Sequence, residues 1–427
     1  MKLLFVCILV GLILWIILPR IFSKDRASIW NPLVFWCIYF VYYVVAPCLG
    51  SPNQLGKGDW EEAATYYSLA AILSVSSILI GYKITLRKKF FKNFNQLFFK
   101  TNLLKIGIGL SIIGILSDGL FNGFSLNAFA ERAISAQFDE DGSYNHPTMY
   151  ITYLVSLISL GCAIFIVLIK KSKKASLLFI LFSIIGLIIY LIGGFRYRIL
   201  IMITTIVTTY YLYPSAKKIN LKIIIPLCIV LYLGMAIVER TRNYGKGLDL
   251  SQIENTDIST VESSEGYIVA ALSARSIMEY EFDDLVWLEP IETAIFMPIP
   301  RALFPEKPDG SYMRDANNKI IGTIKLGGAM VMFAEAYISF GWFGIILQGL
   351  FIGLVCRIFW DNYSRNRQSL GAILLLATFN GFSFVWFSRG YLAQDFITFM
   401  YYIIIPIWIT RILNFVLKNS STRRRIS

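Results

Sequence analysis

Apolar stretches dominate this chain, and about eleven of them are each long enough to cross a bilayer. A transmembrane helix needs about 20 residues, with a range of about 17–25. Because backbone groups in lipid must bond within their own segment, we predict that these stretches are helices. The expected fold is therefore all-α: a polytopic integral membrane protein forming a single membrane domain over residues 1–427, with a range of 10–12 transmembrane helices. The predicted spans are 3–19, 30–48, 63–82, 102–122, 148–169, 175–194, 199–214, 221–239, 341–359, 369–388 and 396–417.

Lys and Arg are concentrated in alternate loops between these spans. On this segmentation one side carries 25 of the 40 Lys and Arg but only 2 of the 27 Asp and Glu, which leaves 15 basic and 25 acidic residues for the other side. Cytoplasmic loops collect Lys and Arg, so the first side is predicted to be cytoplasmic. The N-terminus is then outside, and the C-terminus, with Arg423, Arg424 and Arg425, lies in the cytoplasm. This arrangement is typical of a bacterial inner membrane protein.

Composition narrows the classes of partner and site. The chain is 56% hydrophobic and 16% charged, which is far from soluble averages. Its net charge of +13 lies in short loops beside the membrane, which favours contact with anionic lipid over nucleic acid. One histidine, His146, and six scattered cysteines predict neither a metal site nor a disulfide framework.

The largest loop, about residues 240–326, is predicted to be extracytoplasmic and contains 14 acidic and 9 basic residues. Apolar residues at roughly helical intervals predict a helix within 260–280. Five prolines between 290 and 308 argue against continuous helix there and favour an ordered, extended segment. The apolar stretch 327–340 is either a re-entrant turn before the ninth span or the beginning of that span.

Several arginines lie at predicted outer helix ends, where positive charge is disfavoured. Arg196 and Arg198 follow Gly193 and Gly194 between two apolar spans. Arginines near helix ends reach the interface routinely, which is one interpretation. The alternative is that their bidentate guanidinium groups bind a diphosphate at headgroup depth. Other arginines in comparable positions are Arg389, Arg240 and Arg242.

Two further elements carry candidate chemistry. In the segment from Pro298 to Pro308, prolines would hold Arg301 and Lys307 on a stiff outer segment, or the charges are simply solvated. Glu335 is the sole ionisable residue between Lys325 and Arg357. A carboxylate near membrane depth needs a partner or a task, so Glu335 is either half of a structural ion pair with an arginine or a general base.

Three motifs occur in a fixed order: Gly-Gly-x-Arg-x-Arg at 193–198, Ile-Pro-Arg…Pro-x-Lys-Pro at 299–308, and Glu-Ala-Tyr-x-x-Phe-Gly-x-x-Gly at 335–344. In this order they resemble those of Wzy-type polymerases, the oligosaccharide repeat-unit polymerases of bacterial O-antigen and capsule synthesis. The resemblance covers about residues 190–390. Elsewhere the chain is similar only in hydropathy.

The resemblance implies a metal-independent membrane glycosyltransferase without a cofactor. It would act on undecaprenyl-diphosphate-linked oligosaccharides at the outer face of the bacterial cytoplasmic membrane. Its partners would be a flippase and a chain-length regulator of the same pathway. Glu335 would orient or deprotonate the acceptor hydroxyl, while Arg196 and Arg301 would stabilise the leaving diphosphate. The binding residues would be Arg198, Lys307 and Tyr337, with Arg389, Arg240 and Arg242 added from their positions. Two alternatives remain: an O-antigen ligase-like transferase, and a transporter or flippase of lipid-linked glycans.

Overall fold

The computed structural model consists of helices joined by turns, with two short strands, over the residues that it describes. These residues are 1–50, 57–85, 91, 94–95, 98, 102–121, 149–192, 196–214, 242–243, 247–248, 265–299, 303–308, 310–321 and 329–423.

Helices in the first half of the described chain are α1 (Lys2–Ile21), α2 (Pro32–Leu49), α3 (Lys57–Lys83), α4 (Leu103–Phe121), α5 (Tyr153–Leu168), α6 (Lys173–Ile192) and α7 (Arg196–Leu212). Those in the second half are α8 (Glu265–Glu279), α9 (Glu289–Phe296), α10 (Ser311–Ile321), α11 (Met332–Arg365), α12 (Leu370–Arg389) and α13, which begins at Leu392 and ends at Arg423. Single π-helical turns interrupt α2 at Val41–Val45 and α13 at Met400–Ile404. The strands β1 (Arg242–Asn243) and β2 (Gly247–Leu248) pair antiparallel.

Eight helices of the described chain are long and apolar enough to cross a membrane. They are α1, α2, α3, α4, α6, α11, α12 and α13. The predicted spans at 148–169 and 199–214 correspond to shorter apolar helices, Tyr153–Leu168 and Tyr197–Leu212. The predicted span 221–239 lies outside the described residues. The predicted all-helical architecture with several apolar, membrane-compatible helices is therefore confirmed.

The chain divides into two compact units, each assembled from stretches that are separated in sequence. The first contains Met1–Lys88, Ile258–Asp361 and Ser383–Ile397. The second contains Lys89–Asp257, Asn362–Phe382 and Thr398–Ser427. Helices α12 and α13 each contribute residues to both units.

Aromatic rings fill the core of the first unit. The ring of Phe40 stacks on Phe333 at 5.9 Å between centroids, and Phe387 meets Phe40 edge-on at 4.8 Å. Such pairs add about 0.5–1.5 kcal/mol each to the burial of the rings. In the same unit α3 and α11 approach closely at Gly353, where a Cβ would collide with the carbonyl of Ile78. Small residues at such crossings let helix backbones pack tightly in a membrane.

The second unit packs α5 between α4, α6 and α7. Its buried core includes Ile158, Phe165 and Phe182, with the last two rings stacked at 5.6 Å. Gly161 of α5 lies so close to α4 that a Cβ would stand 2.9 Å from the carbonyl oxygen of Gly107. Residues 155–165 are all buried, so α5 lies inside this unit on every side.

Helix α11 is broken near its beginning. Phe340 has φ −138° and Gly341 has φ +61°, a left-handed conformation that favours glycine. Residues 332–339 therefore form a short helix that is separated by this break from the long part of α11, residues 342–365. The last residues of the stretch 327–340 therefore form the first part of α11. The break at Phe340–Gly341 divides this part from the part that contains the predicted ninth span.

The predicted helix within 260–280 is confirmed as α8, Glu265–Glu279. The prediction of an extended segment from the five prolines is wrong at the beginning of that segment, because Pro290 lies in the first turn of α9. Proline is tolerated there, since the N–H that it lacks would have no partner within the helix. The helix ends before Pro298, and turns follow it.

Candidate functional site

The first unit buries Glu335 in the first turn of α11, where only 3% of the residue is exposed. The residues just before it, Met330 and Val331, are fully buried against α8. The backbone N–H of Val331 donates to Ser273 Oγ of α8 at 2.9 Å, which fixes the start of the helix. The carboxylate is thus held inside the protein on a supported backbone.

Two donors from distant parts of the chain meet on one oxygen of this carboxylate. The Tyr312 hydroxyl of α10 donates to Glu335 Oε1 at 2.6 Å, and the backbone N–H of Leu392, at the start of α13, donates to the same oxygen at 2.8 Å. Within the described part of the chain, Glu335 Oε2 accepts no hydrogen bond and the carboxylate forms no ion pair. The side chains of Arg301 and Arg389 are outside this description, so the ion pair with an arginine stays one of the two alternatives for Glu335.

Tyr312 is well suited to act as a donor. It is buried, and this burial together with the adjacent Glu335 carboxylate raises the pKa of Tyr312 well above its ordinary value. The phenol consequently stays protonated at physiological pH and holds its proton toward Glu335. A carboxylate with one oxygen fixed in this way, and the other without a described donor, can accept a proton from a hydroxyl group.

Two glycines with left-handed backbones shape the site. Gly390, with φ +39°, connects α12 to α13, and a Cβ on it would stand 2.6 Å from the carbonyl oxygen of Met330. Gly310, with φ +76°, precedes α10, and a Cβ there would collide with the Tyr391 hydroxyl. Glycine at these positions allows the two turns to pack beside Glu335.

Sequence reasoning missed Asp395. This residue is buried in the first turn of α13, and its charge is among those acting on Tyr312. The signal was present, because Asp395 is an acidic residue at the very start of an apolar span. The predicted span began at residue 396 and therefore did not include Asp395. The site thus contains a second buried carboxylate, on the turn of chain that supplies the Leu392 N–H.

Tyr337, a predicted substrate-binding residue, has other contacts. Its hydroxyl donates to the carbonyl oxygen of Tyr280 at 3.3 Å, and its ring meets Trp342 edge-on at 5.3 Å. These contacts tie the end of α8 to both sides of the break in α11. Tyr337 is about half buried in this position.

Lys307 has a specific structural role. Its buried ammonium group donates to the carbonyl oxygens of Met297 at 3.1 Å and Ile299 at 2.7 Å. These carbonyls follow the C-terminus of α9, where a cation interacts favourably with the helix dipole. Lys307 is therefore not the fully solvated lysine of one alternative, and its ammonium group holds the turn at Met297–Ile299.

In the second unit, Arg198 lies at the start of α7 and is only 2% exposed. Its guanidinium group lies 5.3 Å from the centroid of the Tyr153 ring and 5.8 Å from that of Tyr197. Its Nε donates to the Tyr197 hydroxyl at 3.4 Å. Arg198 therefore does not extend to the aqueous interface, because aromatic rings enclose its guanidinium group.

The other predicted residues are described only in part. Arg301 and Arg240 lie outside the described residues, and for Arg196, Arg242 and Arg389 the description covers the backbone alone. Arg196 begins α7, and Arg389 ends α12 immediately before Gly390. Among the predicted residues, Arg389 is therefore the one whose backbone adjoins the turn that contacts Glu335.

No family model, curated protein or solved structure matches the chain.

Proposed function

We propose that the protein polymerises undecaprenyl-diphosphate-linked oligosaccharide repeat units on the outer face of the bacterial cytoplasmic membrane. The observation that carries this proposal is the geometry at Glu335, a buried carboxylate on which two donors from distant segments hold Oε1. Glu335 also opens the motif Glu-Ala-Tyr-x-x-Phe-Gly-x-x-Gly. The burial of Glu335 and its place in the motif thus both support this assignment.

In the proposed reaction, the acceptor is a sugar hydroxyl of the incoming repeat unit. Its proton passes to Glu335 Oε2 while its oxygen forms a bond to the anomeric carbon of the growing chain. The bond between that carbon and the diphosphate oxygen breaks, and the electron pair leaves with the undecaprenyl diphosphate. The growing chain is thereby transferred to the new unit, which still carries its own lipid.

Arginine side chains are proposed to stabilise the charge that develops on the departing diphosphate. Arg301 and Arg389 are the candidates in the first unit, since a planar guanidinium binds phosphate oxygens in a bidentate manner. Lys307 would support this step by fixing the turn that follows α9, because its ammonium group donates to the carbonyls of Met297 and Ile299. Arg240 and Arg242 are weaker candidates.

Arg196 and Arg198 are proposed to bind a diphosphate in the second unit, and this assignment is tested separately. The aromatic surroundings of Arg198 hold the guanidinium in a fixed orientation. Orientation of the planar group is what bidentate recognition requires.

The proposal includes a topology of eleven transmembrane helices, with the N-terminus outside and the C-terminus in the cytoplasm. The loop of residues 240–326 is then extracytoplasmic, on the side to which a flippase delivers lipid-linked units. The support is the segregation of Lys and Arg from Asp and Glu between alternate loops.

The test is reconstitution of the purified protein in vesicles with a lipid-linked repeat unit as the single glycan substrate. A polymerase produces a ladder of products that differ by one repeat unit. A ligase-like transferase yields no ladder unless a separate acceptor is added, and a transporter moves the substrate without forming a glycosidic bond. Either of the last two results, with an active and folded protein, would contradict the proposal.

A further inference from the structure

Helix α9 carries two unlike faces. Its buried face consists of Pro290, Thr293, Ala294 and Met297, which pack within the first unit. The opposite face is formed by aliphatic side chains that are all exposed, and we name it the α9 apolar face. Its members are Ile291 and Ile295 of the helix, Leu288 immediately before it and Ile299 in the turn after it.

Acidic residues mark the edge of this face. Glu292 is exposed and lies one position after Ile291, while Glu289 is half buried near the start of the helix. A helix with an apolar face bordered by charged residues can lie in the plane of a membrane interface, with that face in the lipid. Trp287 adds an exposed indole ring immediately before the helix. Tryptophan is enriched at the same interface, where its ring lies at headgroup level.

Contacts with the break in α11 hold the segment just before α9 in place. The backbone N–H of Val286 donates to the carbonyl oxygen of Ile338 at 3.1 Å. The Trp287 ring meets Phe340 edge-on, at 5.9 Å between centroids. The α9 apolar face therefore begins where the long, apolar part of α11 begins.

That part of α11 carries its own exposed apolar stripe. Phe343, Leu347 and Phe351 recur every four residues, and Phe343 is 61% exposed. In a helix that crosses a membrane, such side chains face lipid. Leu288 and Ile295 are 54% and 57% exposed, and the contacts of Val286 and Trp287 place the start of α9 at the break where this stripe begins.

We propose that α9 is an interfacial helix whose apolar face, together with Trp287, is embedded in bilayer lipid beside the start of the long part of α11. A protein partner is a poorer occupant, since a stable interface buries about 800 Å² per partner and 20–30 residues a side. The face offers four aliphatic side chains, which suit acyl chains without hydrogen-bonding groups. The inference depends on α11 crossing the membrane and is independent of the proposed polymerase activity.

The test uses the full-length protein in nanodiscs that hold one copy each, made of phosphatidylethanolamine and phosphatidylglycerol. One sample is photolabelled with an apolar diazirine dissolved in the bilayer, and the other with a water-soluble diazirine. Labelled residues are then mapped by mass spectrometry. The apolar reagent should label the α9 apolar face as it labels Phe343 and Phe351. The water-soluble reagent should label the exposed Asp315 and Lys319 of α10 instead.

Variants make the test specific to this face. The double variant Ile291→Gln/Ile295→Gln should lose most of the apolar label on residues 287–299, with labelling of Phe343 unchanged. Glu292→Gln, on the same helix at the edge of the face, should keep it. Labelling of Leu288, Ile291 and Ile295 by the water-soluble reagent in the native protein would overturn the inference. Protection that arises only in discs with two copies would do so as well, because it would identify a second chain as the occupant.

Discussion

The hydroxyl group of Tyr312 donates a 2.6 Å hydrogen bond to Oε1 of Glu335, although the two residues are 23 positions apart and belong to different helices. The backbone N–H of Leu392 donates to the same oxygen from a third helix. Two helices of the first unit, α10 and α13, therefore converge on a single carboxylate oxygen of α11. The consequences of this arrangement for activity and stability can be measured separately.

Glu335→Gln is expected to separate catalysis from stability. Glutamine keeps an oxygen that accepts hydrogen bonds from Tyr312 and Leu392, but its amide cannot take up the proton of the sugar hydroxyl. Polymerisation should fall by roughly 10²–10⁴, the usual contribution of a general base, with the melting temperature in detergent close to that of the native protein. The measurement is ladder formation beside thermal stability, with Glu292→Gln as the control. Normal ladder formation by Glu335→Gln would remove the general base role.

Tyr312→Phe is expected to weaken the site without removing the carboxylate. Hydrogen bonds to charged groups contribute roughly 1.5–3 kcal/mol, so the free energy of unfolding should fall by an amount of that order. Tyr337→Phe is the matched control, because its hydroxyl makes a longer bond, 3.3 Å, to a neutral carbonyl. Thermal unfolding in one detergent compares the two variants. Equal or greater destabilisation by Tyr337→Phe would contradict the importance given to the Tyr312 bond.

Arg198→Lys tests the planar guanidinium group in the second unit. Lysine retains the positive charge and a cation–π contact with Tyr153, but it loses the bidentate fork that would bind diphosphate. The length of the polymer made in cells should therefore decrease at matched protein levels, and more so in the double variant with Arg196→Lys. Arg275→Lys, which changes an arginine paired with Glu279 on α8, is the control. Full-length polymer from the double variant would show that both arginines have a structural role and do not bind diphosphate.

Lys307→Met is expected to loosen the turn that follows α9. Methionine preserves most of the apolar stem but leaves the carbonyl oxygens of Met297 and Ile299 without their charged donor. Amide hydrogen exchange across 297–307 should accelerate, because each lost charge-assisted bond is worth roughly 1.5–3 kcal/mol. The control is Lys319→Met, since Lys319 is partly exposed and pairs with Asp284 at the surface. Unchanged exchange after Lys307→Met would show that the turn is held by other contacts.

The proposed topology has a direct test. A reporter enzyme that is active only in the cytoplasm should be silent when fused after Pro308, in the turn before α10, and active when fused at the C-terminus. The reason is the concentration of Lys and Arg on the other side of the membrane. Strong activity after Pro308 would overturn the assignment of the 240–326 loop to the outer face.

The sequence by itself determined the helical architecture. Long apolar runs have one means of satisfying their backbone groups in lipid, so hydropathy predicts helices such as α1, α11 and α12 without reference to other segments. The isolation of Glu335 between Lys325 and Arg357 was equally visible in the sequence. Hydropathy and isolation are local properties of a segment, and they can be deduced from the order of residues alone.

Only the tertiary structure decided which groups surround Glu335. Tyr312 and Leu392 lie 23 and 57 positions away, and Asp395 joins them through the same turn. The break at Phe340–Gly341 and the binding of Lys307 to two carbonyls were likewise absent from the sequence pattern. The physical reason is that hydrogen bonds act over about 3 Å. Their partners are therefore set by the packing of distant segments, which the hydropathy of each segment does not encode.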